Sequence, residues 1–244
     1  MTGFDDRRLI VFDCDGVLVD SEILACDVQA RAMTAYGFAM DGPEIARRFL
    51  GMSAKDMRAL MEVDLGRPLP DDHEARCGAE LFDLFRAQLR PVAGIRSVIE
   101  AVGAAGHARC VASSSSPERI ALALEVAGLD DLFGPHVFSS TMVAHGKPAP
   151  DLFLHAAAAM DFSPERCVVV EDSINGVRAA RAAGMRALGF LAGGYCQPLH
   201  GEALAAAGAD RVCADASALA RALAEETVDE TVEPASARRG IPVP

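Results

Sequence analysis

Two aspartates directly follow the first apolar run of the sequence, where they could take part in chemistry. The run 9–12 (LIVF) is followed at once by Asp13, Cys14, Asp15 and Gly16. A short apolar run bounded by polar residues predicts a buried strand of a parallel sheet, and ligands bind at the carboxyl ends of such strands. Carboxylates two residues apart repel each other, so we expect a hard cation such as Mg²⁺ beside them. A surface turn rich in Asp and Gly is the alternative that this segment alone leaves open.

A serine cluster follows a second predicted strand. The apolar strand 108–112 runs into four serines, residues 113–116, and Pro117 with Glu118 then begins a helix. Hydroxyl groups and the free backbone N–H groups of a helix N-terminus could together bind an anion. A serine-rich loop with an N-cap serine is the structural alternative.

A lysine and a second pair of acids follow later in the chain. Lys147 lies in the loop GKPAPD, whose glycine and prolines could hold its ammonium group inward, although a solvated surface charge is the commoner case. The predicted strand 167–170 ends in Glu171 and Asp172. The first strand and this one therefore both end in paired carboxylates.

Four strand ends carry these polar residues, and in a right-handed βαβ sheet such ends lie along one edge. Carboxylates, a lysine and hydroxyls around a hard cation match the needs of phosphoryl transfer, because the cation and the lysine would offset charge on the phosphoryl oxygens. Asp13 would attack phosphorus and form an aspartyl-phosphate. Asp15 would protonate the leaving oxygen and then take a proton from the hydrolytic water.

The elements that must position these residues form an α/β pattern interrupted by one helical insertion. The segment 21–90 is helical throughout, whereas helix and strand alternate after Pro91. We therefore predict a core of residues 1–20 and 91–226, a helical domain of residues 21–90 over the site, and a mobile tail of residues 227–244. The predicted strands are 9–12, 108–112, 136–139, 167–170, 185–190 and 210–213.

Composition excludes several classes of partner. The 244-residue chain has a formal net charge of −12, which argues against nucleic acid and anionic membranes, and it lacks a run of eighteen apolar residues. The seven cysteines are scattered and form no CxxC pair, which is typical of reduced thiols. With no signal-peptide pattern at its start, we expect a cytoplasmic monomer that binds a small phosphorylated substrate.

Four motifs in order resemble those of the haloacid dehalogenase superfamily, in its phosphatase branch with a helical C1-type cap inserted after the first motif. That branch includes β-phosphoglucomutases, 6-phosphogluconate phosphatases and phosphoglycolate phosphatases. The resemblance covers residues 9–224 and implies a Rossmann-like doubly wound parallel sheet with a small inserted α-helical cap domain. The segments that carry it are DCDGVLVDSE, Ser113, Lys147 in GKPAPD, and Glu171-Asp172 in VVVEDSINGV.

The resemblance also implies a role for each motif residue. Asp13 would be the nucleophile, Asp15 the general acid and base, and Lys147 a catalytic cation. Mg²⁺ would be the cofactor, and its ligands would be Asp13, the backbone carbonyl of Asp15, and Asp172, with Glu171 in support. The residues expected to bind phosphate are Ser113, Ser114 and Lys147.

The nearest alternative is a phosphomutase of the β-phosphoglucomutase type. Such enzymes carry a histidine in the cap hinge and an arginine after a Gly-x-Ser turn, and aligned without gaps these positions hold Ala25 and Ala54 here. Hydrolysis of a sugar phosphate or sugar-acid phosphate, such as 6-phosphogluconate, is therefore favoured. Arg47 and Arg48 could bind a distal anionic group of the substrate, or they could lie on a solvated helix face. A non-catalytic binding protein is disfavoured because no motif residue is missing.

Overall fold

A six-stranded, wholly parallel sheet forms the centre of the computed structural model, which describes residues 7–49, 54–194 and 199–226. The strand order is β3-β2-β1-β4-β5-β6, so the chain starts in the middle and winds outward in both directions. The strands are β1 (Leu9–Phe12), β2 (Ala108–Ser113), β3 (Val137–Ser139), β4 (Cys167–Glu171), β5 (Arg186–Phe190) and β6 (Arg211–Cys213).

Helices cover both faces of the sheet, and 3-10 turns occur at Ser140–Met142 and Pro164–Arg166. The helices are α1 (Glu22–Ala35), α2 (Gly42–Phe49), α3 (Ala54–Leu65), α4 (His73–Gln88), α5 (Ile95–Ala104), α6 (Pro117–Ala127), α7 (Asp130–Phe133), α8 (Asp151–Ala159), α9 (Ile174–Ala182), α10 (His200–Ala206) and α11 (Ala216–Glu226).

The central strands are buried on both faces, which explains their unbroken apolar sequence. Every residue of β1 and β4 is buried. Alternate side chains of β1 enter two apolar clusters: Ile10 and Phe12 face one side of the sheet, and Leu9 and Val11 face the other. The predicted doubly wound α/β fold is therefore confirmed, and each predicted strand boundary lies within one residue of the observed one.

Helices α1–α4 form the predicted insertion between β1 and α5. Its two connections to the sheet run side by side, since the Asp20 amide donates to the Arg90 carbonyl and the Val92 amide donates to the Leu18 carbonyl. The insertion has an apolar cluster of its own that includes Met33. The proposed limits of this domain stay a prediction. The predicted turn at 51–53 and the tail 227–244 lie outside the described residues.

Helix α4 joins this insertion to the core of the protein. Leu81 and Phe85 of α4 belong to the cluster that also holds Phe12 and Ile120, and α4 packs on α6. Val28 of α1 belongs to the same cluster, so two helices of the insertion, α1 and α4, share the main hydrophobic core.

Two predictions from composition can be compared with the described residues. None of their helices combines the length and apolar character that crossing a membrane requires. Six cysteines are buried and unpaired, as predicted for reduced thiols, and Cys196 lies outside the described residues.

The junction between β4 and α9 shows how a carboxylate is kept in place at the end of a strand. Ser173 caps α9, where its hydroxyl accepts from the Gly176 amide at 3.0 Å. The amide and hydroxyl of Ser173 also donate to Oε2 of Glu171, at 3.0 and 2.9 Å. Any Cβ on residue 176 would overlap the Glu171 carboxyl group. A glycine in α9 is therefore what leaves room for the buried acid.

We predict that Gly176→Ala lowers the free energy of unfolding by about 1–3 kcal/mol, because the methyl group must displace a buried carboxylate. Chemical denaturation followed by circular dichroism measures the change. Gly78→Ala is the matched control, since a Cβ there meets nothing within 4 Å in helix α4. This control should raise stability by up to about 1 kcal/mol. Equal effects of the two substitutions would contradict the packing described for Glu171.

Candidate active site

The register of the sheet brings two strand ends of the predicted site together. Phe12 at the end of β1 pairs with Val170 of β4 on one side and with Val111 of β2 on the other. The Asp13 amide donates to the Val170 carbonyl at 3.0 Å, which places Asp13 beside the next residue of β4, Glu171. Both carboxylates are buried at the carboxyl edge of the sheet.

Lys147 points inward and links the two acids. Its Nζ donates to Oδ1 of Asp13 at 2.7 Å, to Oε1 of Glu171 at 2.5 Å and to the Ala112 carbonyl at 3.0 Å. The side chain is only 4% exposed, and Nζ lies 4.9 Å from the ring centroid of Phe153. Burial opposes the charge of Lys147, but the two carboxylates outweigh it and raise the pKa of the ammonium group. The lysine therefore remains a cation at the centre of the site.

Three buried carboxylates form a cluster that one cation does not neutralise. Ligand oxygens of Asp13, Glu171 and Asp172 all lie within 4.8 Å of one another. Burial and the charges of Glu171 and Asp15 outweigh Lys147 and raise the pKa of Asp13 to about 7. Burial, Glu171 and Asp13 also raise the pKa of Asp172 well above its usual value. Oxygen donors crowded in this way fit a hard divalent cation, which would favour the ionised forms of Asp13 and Asp172.

Asp15 lies in a different environment from Asp13, although only Cys14 separates them. Oδ1 of Asp15 accepts from Nη2 of Arg119 at 2.7 Å and from the Ser21 hydroxyl, and Oδ2 accepts from the Ser115 hydroxyl at 2.6 Å. Burial disfavours the ionised form, but the Arg119 charge and the two hydroxyl donors prevail and lower the pKa of Asp15. The Asp15 side chain is thus an ionised carboxylate held outside the Asp13 cluster.

The serine cluster forms a tethered loop between β2 and α6. The buried Ser113 hydroxyl accepts from the Ser115 amide at 3.1 Å. Ser114 is exposed, and its carbonyl accepts from the Ser140 hydroxyl at 2.9 Å. The Ser115 carbonyl accepts from the Ser139 hydroxyl at 2.7 Å. The end of β3 therefore holds this loop beside the carboxylates, with Ser113 at the strand end and Ser114 at the surface.

Residues that sequence reasoning did not select also contribute to the site. Ser21, Ser115 and Arg119 all contact Asp15. Glu22 lies close enough for burial and the Asp15 charge to raise its pKa to about 7. Three of these four have a sequence signal, since Ser21 and Glu22 end the DCDGVLVDSE segment and Ser115 belongs to the serine cluster. Arg119 has none, because nothing in the first turn of α6 marks it as different from a surface arginine.

The two arginines predicted to set specificity have different surroundings. Arg48 donates from Nη2 to Oδ1 of Asp64 at 3.0 Å and forms an ion pair with Oδ2 of the same residue at 2.7 Å. Its guanidinium carbon lies 5.0 Å from the Phe49 ring centroid. Arg47 is exposed on the same helix, α2. Arg48 is thus engaged within the insertion, which leaves Arg47 as the better candidate for a ligand contact.

Comparisons with known proteins agree with this geometry. The chain is 28% identical over 193 residues to 6-phosphogluconate phosphatase of Escherichia coli K12, covering 78% of this chain and 85% of that protein. It is 31% identical over 178 residues to a phosphorylated carbohydrates phosphatase of Thermotoga maritima, covering 72% and 81%. A crystal structure of a hydrolase from Deinococcus radiodurans R1, with bound phosphate and sodium, matches with 34% identity and a TM-score of 0.77, covering 90% of this chain and 96% of that one.

The family comparison covers most of the chain. Residues 7–184 match the model of the haloacid dehalogenase-like hydrolases, and this span holds all four motifs together with the whole helical insertion. The protein therefore belongs to the haloacid dehalogenase-like hydrolases.

Proposed function

We propose that the protein is a Mg²⁺-dependent phosphomonoester hydrolase that acts on a small phosphorylated sugar or sugar acid through an aspartyl-phosphate intermediate. The observation that carries the proposal is the buried Asp13 carboxylate, bound to Lys147 and grouped with Asp172 and Glu171 at the sheet edge. A carboxylate in such a position can attack phosphorus, while the cations around it offset the charge of the phosphoryl oxygens.

Asp13, Asp172 and Glu171 would hold Mg²⁺, with the Asp15 carbonyl as a further ligand. Bound there, Mg²⁺ would neutralise the clustered acids and polarise the phosphoryl oxygens. Lys147 holds Oδ1 of Asp13 and so orients the nucleophile. The Ser113 hydroxyl, at the end of β2, accepts from the Ser115 amide. Ser113 would bind a phosphoryl oxygen, and the exposed Ser114 would bind at the rim.

In the first step, Asp13 forms a bond to phosphorus and the bond from phosphorus to the substrate oxygen breaks. Asp15 enters this step protonated and transfers its proton to the departing oxygen, which leaves Asp15 in the ionised form that the structure favours. In the second step, Asp15 accepts a proton from water as the water oxygen binds phosphorus. The bond between phosphorus and Asp13 breaks, which releases phosphate and regenerates the carboxylate. Asp15 is suited to the second step in the observed arrangement, because Arg119, Ser21 and Ser115 hold it ionised.

The substrate class is inferred from the relatives and from charge. Both curated relatives described above carry names of phosphatases for phosphorylated sugars or sugar acids. With a formal net charge of −12, the protein needs local cations to bind an anionic ester. Lys147 would supply one at the phosphate, and Arg47 of the insertion would supply a second at the far end of the substrate.

The test of this proposal is phosphate release from 6-phosphogluconate, measured with MgCl₂ and with excess EDTA. Release should require the metal, and Asp13→Asn should abolish it while leaving the melting curve intact, since the amide is nearly isosteric but is not a nucleophile. Asp83→Asn, at an exposed residue of α4, is the control and should keep full activity. Full activity in EDTA, or in Asp13→Asn, would refute the mechanism.

We expect water rather than a sugar hydroxyl to accept the phosphoryl group. Related mutases carry polar groups at the positions of Ala25 and Ala54. Those groups are expected to couple acid–base chemistry to closure of the cap on the sugar phosphate. The two alanines cannot do this, so nothing at these positions suppresses hydrolysis. Incubation with β-glucose 1-phosphate, Mg²⁺ and a trace of glucose 1,6-bisphosphate should yield little glucose 6-phosphate, as measured with glucose-6-phosphate dehydrogenase. Efficient isomerisation without phosphate release would establish the mutase instead.

Arg47→Ala should discriminate between substrates by their distal group. We expect the KM for 6-phosphogluconate to rise about tenfold or more, because a charged hydrogen bond to its carboxylate is lost. The KM for glucose 6-phosphate, which has no such carboxylate, should change little. Arg48→Ala is the matched control on the same helix and should lower thermal stability through loss of the Asp64 pair, without changing the ratio of the two KM values. An unchanged ratio in Arg47→Ala would exclude the role of Arg47.

A further inference from the structure

Arg119 is a partly buried cation in the first turn of α6 whose contacts are confined to a small group of residues. Its side chain is 25% exposed, and Nη2 lies 2.7 Å from Oδ1 of Asp15. Its Nε is buried and has no hydrogen-bond partner among the described residues. The negative charge of Glu22 also acts on the guanidinium. The ion pair with Asp15 is therefore the main polar interaction of Arg119.

The other face of Arg119 meets the helical insertion. The guanidinium carbon lies 5.5 Å from the ring centroid of Phe85, a fully buried residue of α4. At that distance a planar guanidinium is attracted to an aromatic face. Arg119 is thus in contact with Asp15 at the sheet edge and with a helix of the insertion, and 104 residues separate it from Asp15 in the sequence.

Removal of Arg119 would leave Asp15 with two hydroxyl donors. Ser21 and Ser115 offer single uncharged O–H donors whose direction can rotate, whereas the guanidinium is a charged, fixed planar donor. The orientation of the Asp15 carboxylate therefore depends mainly on Arg119, and the orientation of Arg119 depends on the Phe85 ring.

We propose that Arg119 is a positioning residue: it sets the orientation in which Asp15 takes a proton from the hydrolytic water, and Phe85 links this orientation to the helical insertion. The inference rests on the proposed function, in which Asp15 is the base of the second step. Arg119 itself touches neither the nucleophile nor the carboxylate cluster in the described contacts.

The experiment separates the two steps with p-nitrophenyl phosphate, whose leaving group departs without a proton. Stopped-flow absorbance gives the rate constant of nitrophenolate release in the first turnover. The steady-state rate then gives the rate constant of dephosphorylation of the enzyme. In Arg119→Gln the first rate constant should stay within about threefold of wild type. The rate constant of dephosphorylation should fall about 10- to 100-fold, which is part of the effect of a general base. Nitrophenolate should therefore appear in a burst of nearly one equivalent per enzyme.

Two further substitutions distinguish positioning from a general loss of structure. Arg119→Lys keeps the charge and should restore part of the second step. Phe85→Leu should slow the same step by a smaller factor. Phe133→Leu is its control, since Phe133 is a buried residue of the same cluster that packs edge-on against Phe12. It should leave the ratio of the two rate constants unchanged.

Four results would overturn the proposal. Equal loss in both steps would show a structural role, and no loss in either would show none. A rise in KM with both rate constants unchanged would assign Arg119 to substrate binding. A crystal structure of Arg119→Gln shows the orientation of the Asp15 side chain independently of activity. If the carboxylate has not moved, the positioning role of Arg119 is refuted. Failure of the proposed function would be seen in a different result: the Asp13→Asn variant would retain the turnover of the wild type.

Discussion

The confinement of three carboxylates around one lysine is the constraint on which the rest of the structure depends. Asp13, Glu171 and Asp172 are buried within 4.8 Å of one another, and Lys147 supplies a single positive charge. Like charges this close cannot all ionise in a medium of low dielectric unless a further cation is present, as the raised pKa values of Asp13 and Asp172 show. With all three acids ionised and Lys147 charged, the cluster carries two net negative charges, which is the charge that a divalent cation neutralises.

The fold supplies the rigidity that such a cluster requires. β1 and β4 pair residue by residue and are buried on both faces, so their carboxyl ends lie side by side in the interior. Ser173 then holds Glu171 by two hydrogen bonds at the start of the following helix. Gly176, which has no side chain, leaves room for the Glu171 carboxyl group. Repulsion among the acids is thus opposed by strand pairing and by a helix cap.

Sequence reasoning predicted the sheet well because burial on two faces produces unbroken apolar runs that end sharply at polar residues. The same signal marked Asp13, Glu171 and Asp172, because these residues follow such runs. Membership of the haloacid dehalogenase-like hydrolases confirms the predicted class of enzyme, a hydrolase. The contacts of Ser115 and Arg119 with Asp15 were missed because contacts across 100 or more residues leave no local pattern. Arg47 and Arg48 look equivalent in sequence, and only the Asp64 contact of Arg48 separates them.

Asp13 and Asp15 show how one short segment produces two chemical environments. In extended backbone, residues two apart point the same way, yet here the chain turns after β1, and Gly16 adopts a positive φ of 79°. Asp13 therefore joins a cluster of acids in which burial and like charge disfavour ionisation, whereas Asp15 meets a guanidinium and two hydroxyls that favour it. A covalent hydrolytic mechanism needs such a division, because a nucleophile must be activated by added cations while the base that follows it must already be ionised. The turn at Gly16 and the arginine in α6 together produce that division.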